Sequence, residues 1–299
     1  MRLITFTHNG STRTGALRGN DVIDLNAVDA SIPKEMVALL QGGDGMLSAA
    51  AKAADTGPAL AQVGDVALES PILLPPKILA VGVNYEDHFL EIPEETRKKV
   101  GGKLPDSPII FNKQSTSATG PYAPVFRPVE SHELDYEAEL GVVIGKTCRR
   151  VSKENAFDVV AGYVIANDVT VRDWQRKGPT MTMGKSWDSH CPMGPALVTK
   201  DEIENPEDLN VILTVDGDKR QSFNTKDMVF GIAEQIAFLS TAFTLTPGDV
   251  IVTGTSAGVA TFMPGQPYLK EGQVCRVAID QLGHIENTIA LDPGESFVR

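Results

Sequence analysis

From residue 76 onward the chain is written in short, apolar, β-branched runs separated by turn residues, and that pattern limits the fold more than any other feature. Residues 78–83, 108–111, 140–144, 163–166, 211–215, 250–253 and 274–279 are each too short for a stable helix and rich in residues that strands favour. Asp216-Gly217 joins 211–215 to 221–223 as a hairpin, and Leu282-Gly283 turns 274–279 into 285–289. One amphipathic helix interrupts them: Ile232, Ile236, Leu239 and Phe243 fall on one helical face, and Pro247-Gly248 ends the stretch. Strands and helices never alternate at length, which argues against a doubly wound parallel sheet. The pattern predicts an α+β fold, a β-rich roll or sandwich of bent, mixed sheets.

Residues 1–75 read as a small N-terminal β-hairpin/helix domain, and residues 76–299 as the main domain. Residues 3–6 alternate, Asn9-Gly10 supplies a turn, and 15–25 returns with a second turn at Gly19-Asn20. Helical stretches follow at 34–41 and 46–54, broken by Gly42-Gly43 and Gly45, before Pro75-Pro76 halts regular structure. With 299 residues, 42% of them hydrophobic, the chain can bury its own core. Cys148, Cys191 and Cys275 form no C-x-x-C pair, so neither a disulfide framework nor a zinc cage is expected, and a reducing cytoplasm is the natural setting. A net charge of −12 excludes nucleic acid as a partner and disfavours anionic membranes. Residues 1–8 turn polar too early for a signal peptide, and no run of about 18 apolar residues is available to span a bilayer.

The unusual chemistry begins at His132-Glu133-Leu134-Asp135-Tyr136-Glu137-Ala138-Glu139, which runs straight into Leu-Gly-Val-Val-Ile-Gly. Read as one strand, it places Glu133, Asp135, Glu137 and Glu139 on the same side, about 7 Å apart. Like charges at that spacing need compensation, from water, from Lys and Arg, or from a hard divalent cation with oxygen ligands. Glu137 and Glu139 lie nearest the apolar run and are least relieved by water. Asp168 follows the apolar run 163–166, and either completes a metal site or caps the next helix. His88 and Glu91 stand three apart. On a helical turn the carboxylate would orient the imidazole as a general base, though a surface His near a Glu is the plainer reading. The charged, Gly-punctuated segment 94–103 is a solvated loop or a lid over that pair. Gly184-Lys185-Ser186 and Gly254-Thr255-Ser256-Ala257-Gly258 read as tight loops. No phosphate loop, serine-hydrolase elbow or zincin motif is present.

Taken in order, these motifs resemble the fumarylacetoacetate hydrolase-like family: Gly82-Val83-Asn84-Tyr85 with Asp87-His88 and Glu91, residues 108–113, Glu137-x-Glu139-Leu-Gly-Val-Val-Ile-Gly, Asn167-Asp168-Val169-Thr170-x-Arg172-Asp173, Gly184-Lys185-Ser186, and 248–255. The resemblance implies Mg2+ or Mn2+ held by Glu137, Glu139 and Asp168, and usually a homodimer. It further implies a small anionic oxo-acid substrate, with His88 and Glu91 activating water and Lys185 neutralising substrate charge. Gln175 and Thr255 are then candidates for substrate hydrogen bonds. The expected reaction is C–C cleavage of a 2,4-dioxo acid (an acylpyruvate) through a pyruvate enolate that the metal stabilises. The same site could isomerise an unsaturated 2-hydroxy dioate or decarboxylate oxaloacetate. A non-catalytic binding member of the fold is the alternative from another class.

Overall fold

A computed structural model describes residues 1–99 and 101–295. The expected β-rich α+β architecture is observed. Its spine is a 12-stranded mixed sheet in which Ala138–Ile144 is paired antiparallel with Val160–Asn167 on one side and Val250–Val252 on the other. Ile78–Gly82 then adds in parallel to Val250–Val252, and Ile109–Lys113 closes that flank. A second, five-stranded sheet carries the hairpin Asn210–Val215/Asp218–Asn224 beside Val274–Ile279 and Gly283–Leu291. Among the described residues, no helix is long and apolar enough to cross a membrane.

Alternation along the central strands explains why they are apolar on both faces. Leu140, Val142 and Ile165 pack with Val211, Leu213, Val277 and Ile285 of the second sheet and with Ile236 and Leu239 of the helix Ile232–Ala242. Val143 and Val164 face the other way, into a core shared with Leu39, Leu40 and Ala50 from the N-terminal helices. These strands are buried twice and cannot show the polar alternation of a solvent-facing sheet. Residues 1–75 join the same spine: Arg2–His8 pairs with Ser11–Arg18 and also, at Arg2 and Leu3, with Cys191–Thr199.

The structure corrects several local expectations. The helices run over Met36–Gln41 and Gly43–Thr56, and Gly45 does not break the second. It sits in the first turn, where the backbone N–H needs no partner four residues back. The acidic stretch 133–139 is not one strand: Leu134–Asp135 pairs with Thr170–Val171, and a separate strand starts at Ala138. Asp135 causes the break, because its carboxylate accepts N–H bonds from Tyr136, Ala260 and Thr261 and so turns away from the other acids. Gly184-Lys185 belongs to a short helix, Thr182–Lys185, rather than a loop. In the segment 94–103, Glu94–Lys99 is helical, and Val100 lies outside the described residues.

Candidate active site

Two adjacent strand ends build the centre of the site. Ala138 pairs with Asn167, so Glu137 and Asp168 stand opposite one another just beyond the register. The Asp168 N–H donates to the Glu137 carbonyl at 2.9 Å, and the Asn167 side-chain carbonyl accepts from the Glu137 N–H, also at 2.9 Å. Glu139, one alternation along, reaches the same space. One carboxylate oxygen from each of Glu137, Glu139 and Asp168 lies within 4.8 Å of the others, and all three residues are buried. The helix-cap alternative for Asp168 fails: the helix Arg172–Gln175 follows Val171 and has no side-chain cap.

Three cations answer these acids. Lys185 Nζ donates to Glu137 Oε2 and Asp168 Oδ2, each at 2.7 Å. Lys113 Nζ, wholly buried, donates to Asp168 Oδ1 at 2.6 Å and to the carbonyls of Val169 and Lys185. Arg172 pairs with Asp135 at 2.8 Å and with Glu137 at 2.7 Å. Burial raises the Glu137 carboxyl, but Lys185, Arg172 and His88 outweigh it and bring the pKa down to about 2. Glu139 moves the opposite way. Burial drives it up, Asp168 and Glu137 add to the rise, and Lys185 with the Gly254 N–H offsets only part. Burial would lower Lys185, but Asp168 and Glu137 hold its ammonium charged.

The donor set fits a hard divalent cation. Lys113, Arg172 and Lys185 pair with Asp135, Glu137 and Asp168, and among the described residues Glu139 has no cationic side-chain partner, so the cluster holds one acid that a bound cation would compensate. All three converging groups offer oxygen, the ligand type that Mg2+ and Mn2+ take.

The His–Glu pair forms on the helix Glu86–Glu91 as the spacing predicts. His88 Nδ1 lies 2.7 Å from Glu91 Oε1, and Glu91 Oε2 accepts the Gly258 N–H at 2.8 Å. With the Glu91 oxygen accepting, Nδ1 is the donor in this bond, and Nε2 is the ring nitrogen it leaves unengaged. The loop supplying that N–H is spaced by glycine: Gly254 has φ +100°, and a Cβ there would sit 2.7 Å from that of Asn84. Thr255, in the same loop, accepts from Gln221 Nε2 at 2.8 Å. Gln175 accepts from Arg172 Nη1 at 3.2 Å, at the edge of the charged group.

Sequence reasoning assigned no role to Lys113, Arg172 or Gln221. The available signal for Lys113 was its position two residues after Phe111 on the inward side of a strand, where a lone cation needs a buried partner.

Residues 77–290 match the family described as Fumarylacetoacetate (FAA) hydrolase C-terminal. The chain is 43% identical over 297 residues to oxaloacetate tautomerase fahd2, mitochondrial, of Xenopus laevis, a match spanning 97% of this chain and 90% of the relative. Its fold matches the solved fumarylacetoacetate hydrolase of psychrophilic Exiguobacterium antarcticum at a TM-score of 0.83 and 35% identity, over 98% of this chain and 100% of that one. Maleylpyruvate hydrolase from Sphingobium sp. SYK-6, solved with manganese(II) and pyruvate, gives a TM-score of 0.80 at 33% identity, over 97% and 99% of the two chains. Motif order, sheet topology and near full-length similarity agree, and this chain is an enzyme of the fumarylacetoacetate hydrolase family.

Proposed function

We propose that the chain enolises a small 2-oxo dicarboxylate with the help of a divalent cation, interconverting the keto and enol forms of oxaloacetate. The observation that carries this reading is that the trio Glu137, Glu139 and Asp168 and the His88–Glu91 pair are tied to one loop, the Gly254 N–H bonding Glu139 and the Gly258 N–H bonding Glu91. Similarity to a named oxaloacetate tautomerase supports oxaloacetate as the substrate and favours this outcome over the acylpyruvate hydrolysis expected from the motifs.

In this reading Glu137, Glu139 and Asp168 hold Mg2+ or Mn2+, and the ion, when bound, supplies Lewis acidity toward a 2-oxo carboxylate. Lys185 helps hold the Glu137 carboxyl below its ordinary value and presents positive charge to an anionic substrate. His88 Nε2 takes a proton from C3 and returns one to the C2 oxygen, while Glu91 holds the ring and stabilises its charged form. The balance closes without water, because one proton leaves carbon and one arrives at oxygen. In this reading Gln175 and Thr255 hydrogen-bond the substrate.

Hydrolysis of an acylpyruvate is the second reading. It is supported by the same His88–Glu91 pair, which can deprotonate water instead of carbon, and by the maleylpyruvate hydrolase likeness. We further take a homodimer in a reducing compartment as the working setting, the latter because Cys148, Cys191 and Cys275 are all free thiols.

The test is a substrate panel with Mg2+ or Mn2+. Loss of enol-oxaloacetate absorbance is followed beside cleavage of acetylpyruvate and release of carbon dioxide from oxaloacetate. Fast, chelator-sensitive ketonisation is expected, and His88→Ala should slow it about 10²-fold or more. Rapid cleavage of acetylpyruvate with no effect on the enol would replace the proposal by the hydrolase reading.

A further inference from the structure

The side chain of Gln221 belongs to the hairpin strand Asp218–Asn224 of the second sheet, yet every hydrogen bond it makes goes to the active-site framework. It is 1% exposed. Its Oε1 accepts the Ala138 N–H at 2.9 Å, at the residue between Glu137 and Glu139. Its Nε2 donates to Thr255 Oγ1 at 2.8 Å and to the Ser256 carbonyl at 2.9 Å. These partners fix which way the amide points. Rotating it by 180° would set a carbonyl against the Ser256 carbonyl and an NH2 against the Ala138 N–H, two buried repulsive contacts in place of two hydrogen bonds.

We propose that Gln221 is a positioning residue that sets the hydrogen-bond polarity of Thr255. Thr255 Oγ1 is the acceptor in its bond to Gln221, so its own proton must point elsewhere. Gly254, the residue before it, donates its N–H to Glu139, so the loop that carries Thr255 is anchored to the acid cluster, and the hydroxyl proton that Gln221 does not engage is left to donate. A donor suits an anionic oxo-acid. Asn or Ser at position 221 could not reach Ala138 and Thr255 together. The proposal rests on the reading that the site takes an oxo-acid, and it adds the residue that makes Thr255 fit one.

Two nearly isosteric variants test it. Gln221→Glu keeps the acceptor for Ala138 but has no NH2, so Thr255 must now donate to residue 221 and loses its outward proton. Gln221→Met removes both functions at similar volume. Read against Thr255→Val in a double-mutant cycle, each single variant is expected to lower kcat/KM for oxaloacetate about 10- to 100-fold, the cost of one hydrogen bond to a charged group. Gln221→Glu in the Thr255→Val background is expected to cost little more. Oxalate binding to the Mg2+-loaded protein, measured by calorimetry, should weaken in the same non-additive way, while metal affinity stays within a few-fold. Additive losses would make Gln221 a merely structural residue and overturn the proposal, as would unchanged oxalate binding in both Gln221 variants. If the wild type turns over none of the oxo-acids but binds oxalate, the reading of function fails and the calorimetric cycle still decides the role of Gln221.

Discussion

Glu137 and Glu139 stand two residues apart in one cluster, and their environments push them in opposite directions. Glu137, held near 2 by Lys185, Arg172 and His88 against burial, lies below its unfolded value of 4.5. It therefore stabilises the fold above that value, and the contribution is lost as pH falls from about 4.5 toward 2. Glu139, raised by burial and by its acidic neighbours, does the reverse. Its charged form is a penalty that appears as pH rises above 4.5 and grows until its folded value is passed. Glu139→Gln should thus make metal-free protein more stable at pH 7 than the wild type, while weakening metal affinity by about 10²-fold. Thermal melts with and without Mg2+ check this. A less stable metal-free variant that still gains from Mg2+ would show that Glu139 neither strains the cluster nor binds the ion. Lys113→Met should instead cost about 3–5 kcal/mol in denaturant melts, because it strips a buried carboxylate of one of its two ammonium partners. The acids were legible as candidates, since each borders an apolar run. Their compensation was not, because Lys113 and Lys185 reach Asp168 across 55 and 17 residues and only the folded sheet brings them together.

Two of the site's elements are tied through one loop. Residues 254–258 hold Glu139 through the Gly254 N–H and Glu91 through the Gly258 N–H, so the proposed metal ligand and the proposed proton-transfer pair share a single backbone support. Gly258 has φ +106°, and a Cβ there would run into the Arg220 carbonyl of the second sheet. Gly258→Ala is expected to cost about 1–3 kcal/mol of stability and to move the Gly258 N–H off Glu91, lowering turnover and changing its pH profile. Gly265→Ala is the control. That residue also has positive φ, +75°, but meets nothing within 4 Å, so it should carry the backbone strain alone and leave the pH profile intact. Matching profiles in the two variants would rule out the loop as the support of the dyad. The His88–Glu91 contact was legible only on the condition of a helical turn, which the structure supplies, whereas the loop's grip on Glu91 spans 167 residues and leaves no local pattern.

Composition divides the molecule near Pro76, and the family match likewise begins at residue 77. The backbone does not divide there. Arg2 and Leu3 pair with Val198 and Leu197, and the Met1 ammonium donates to Thr199 Oγ1 at 2.7 Å. Strand Cys191–Thr199 in turn pairs with Val160–Asn167, the strand that leads to Asp168. Leu39 and Leu40 share a core with Val143, Val164 and Val250 from the middle of the main sheet. A segment that supplies both sheet edge and core to its neighbour cannot melt without exposing that neighbour's strand edge and apolar face. Calorimetry of the metal-free protein is therefore expected to show one cooperative transition, and deletion of residues 1–75 should leave a chain that neither holds native near-ultraviolet dichroism nor binds Mg2+. Two resolved transitions, or a truncated chain that still binds the ion, would mean that the site is supported by residues 76–299 alone. The charge sum argues in the same direction about scale: an excess of twelve negative charges describes the whole chain, while Lys113, Arg172 and Lys185 set against Asp135, Glu137, Glu139 and Asp168 give the site a local field of its own within an acidic protein.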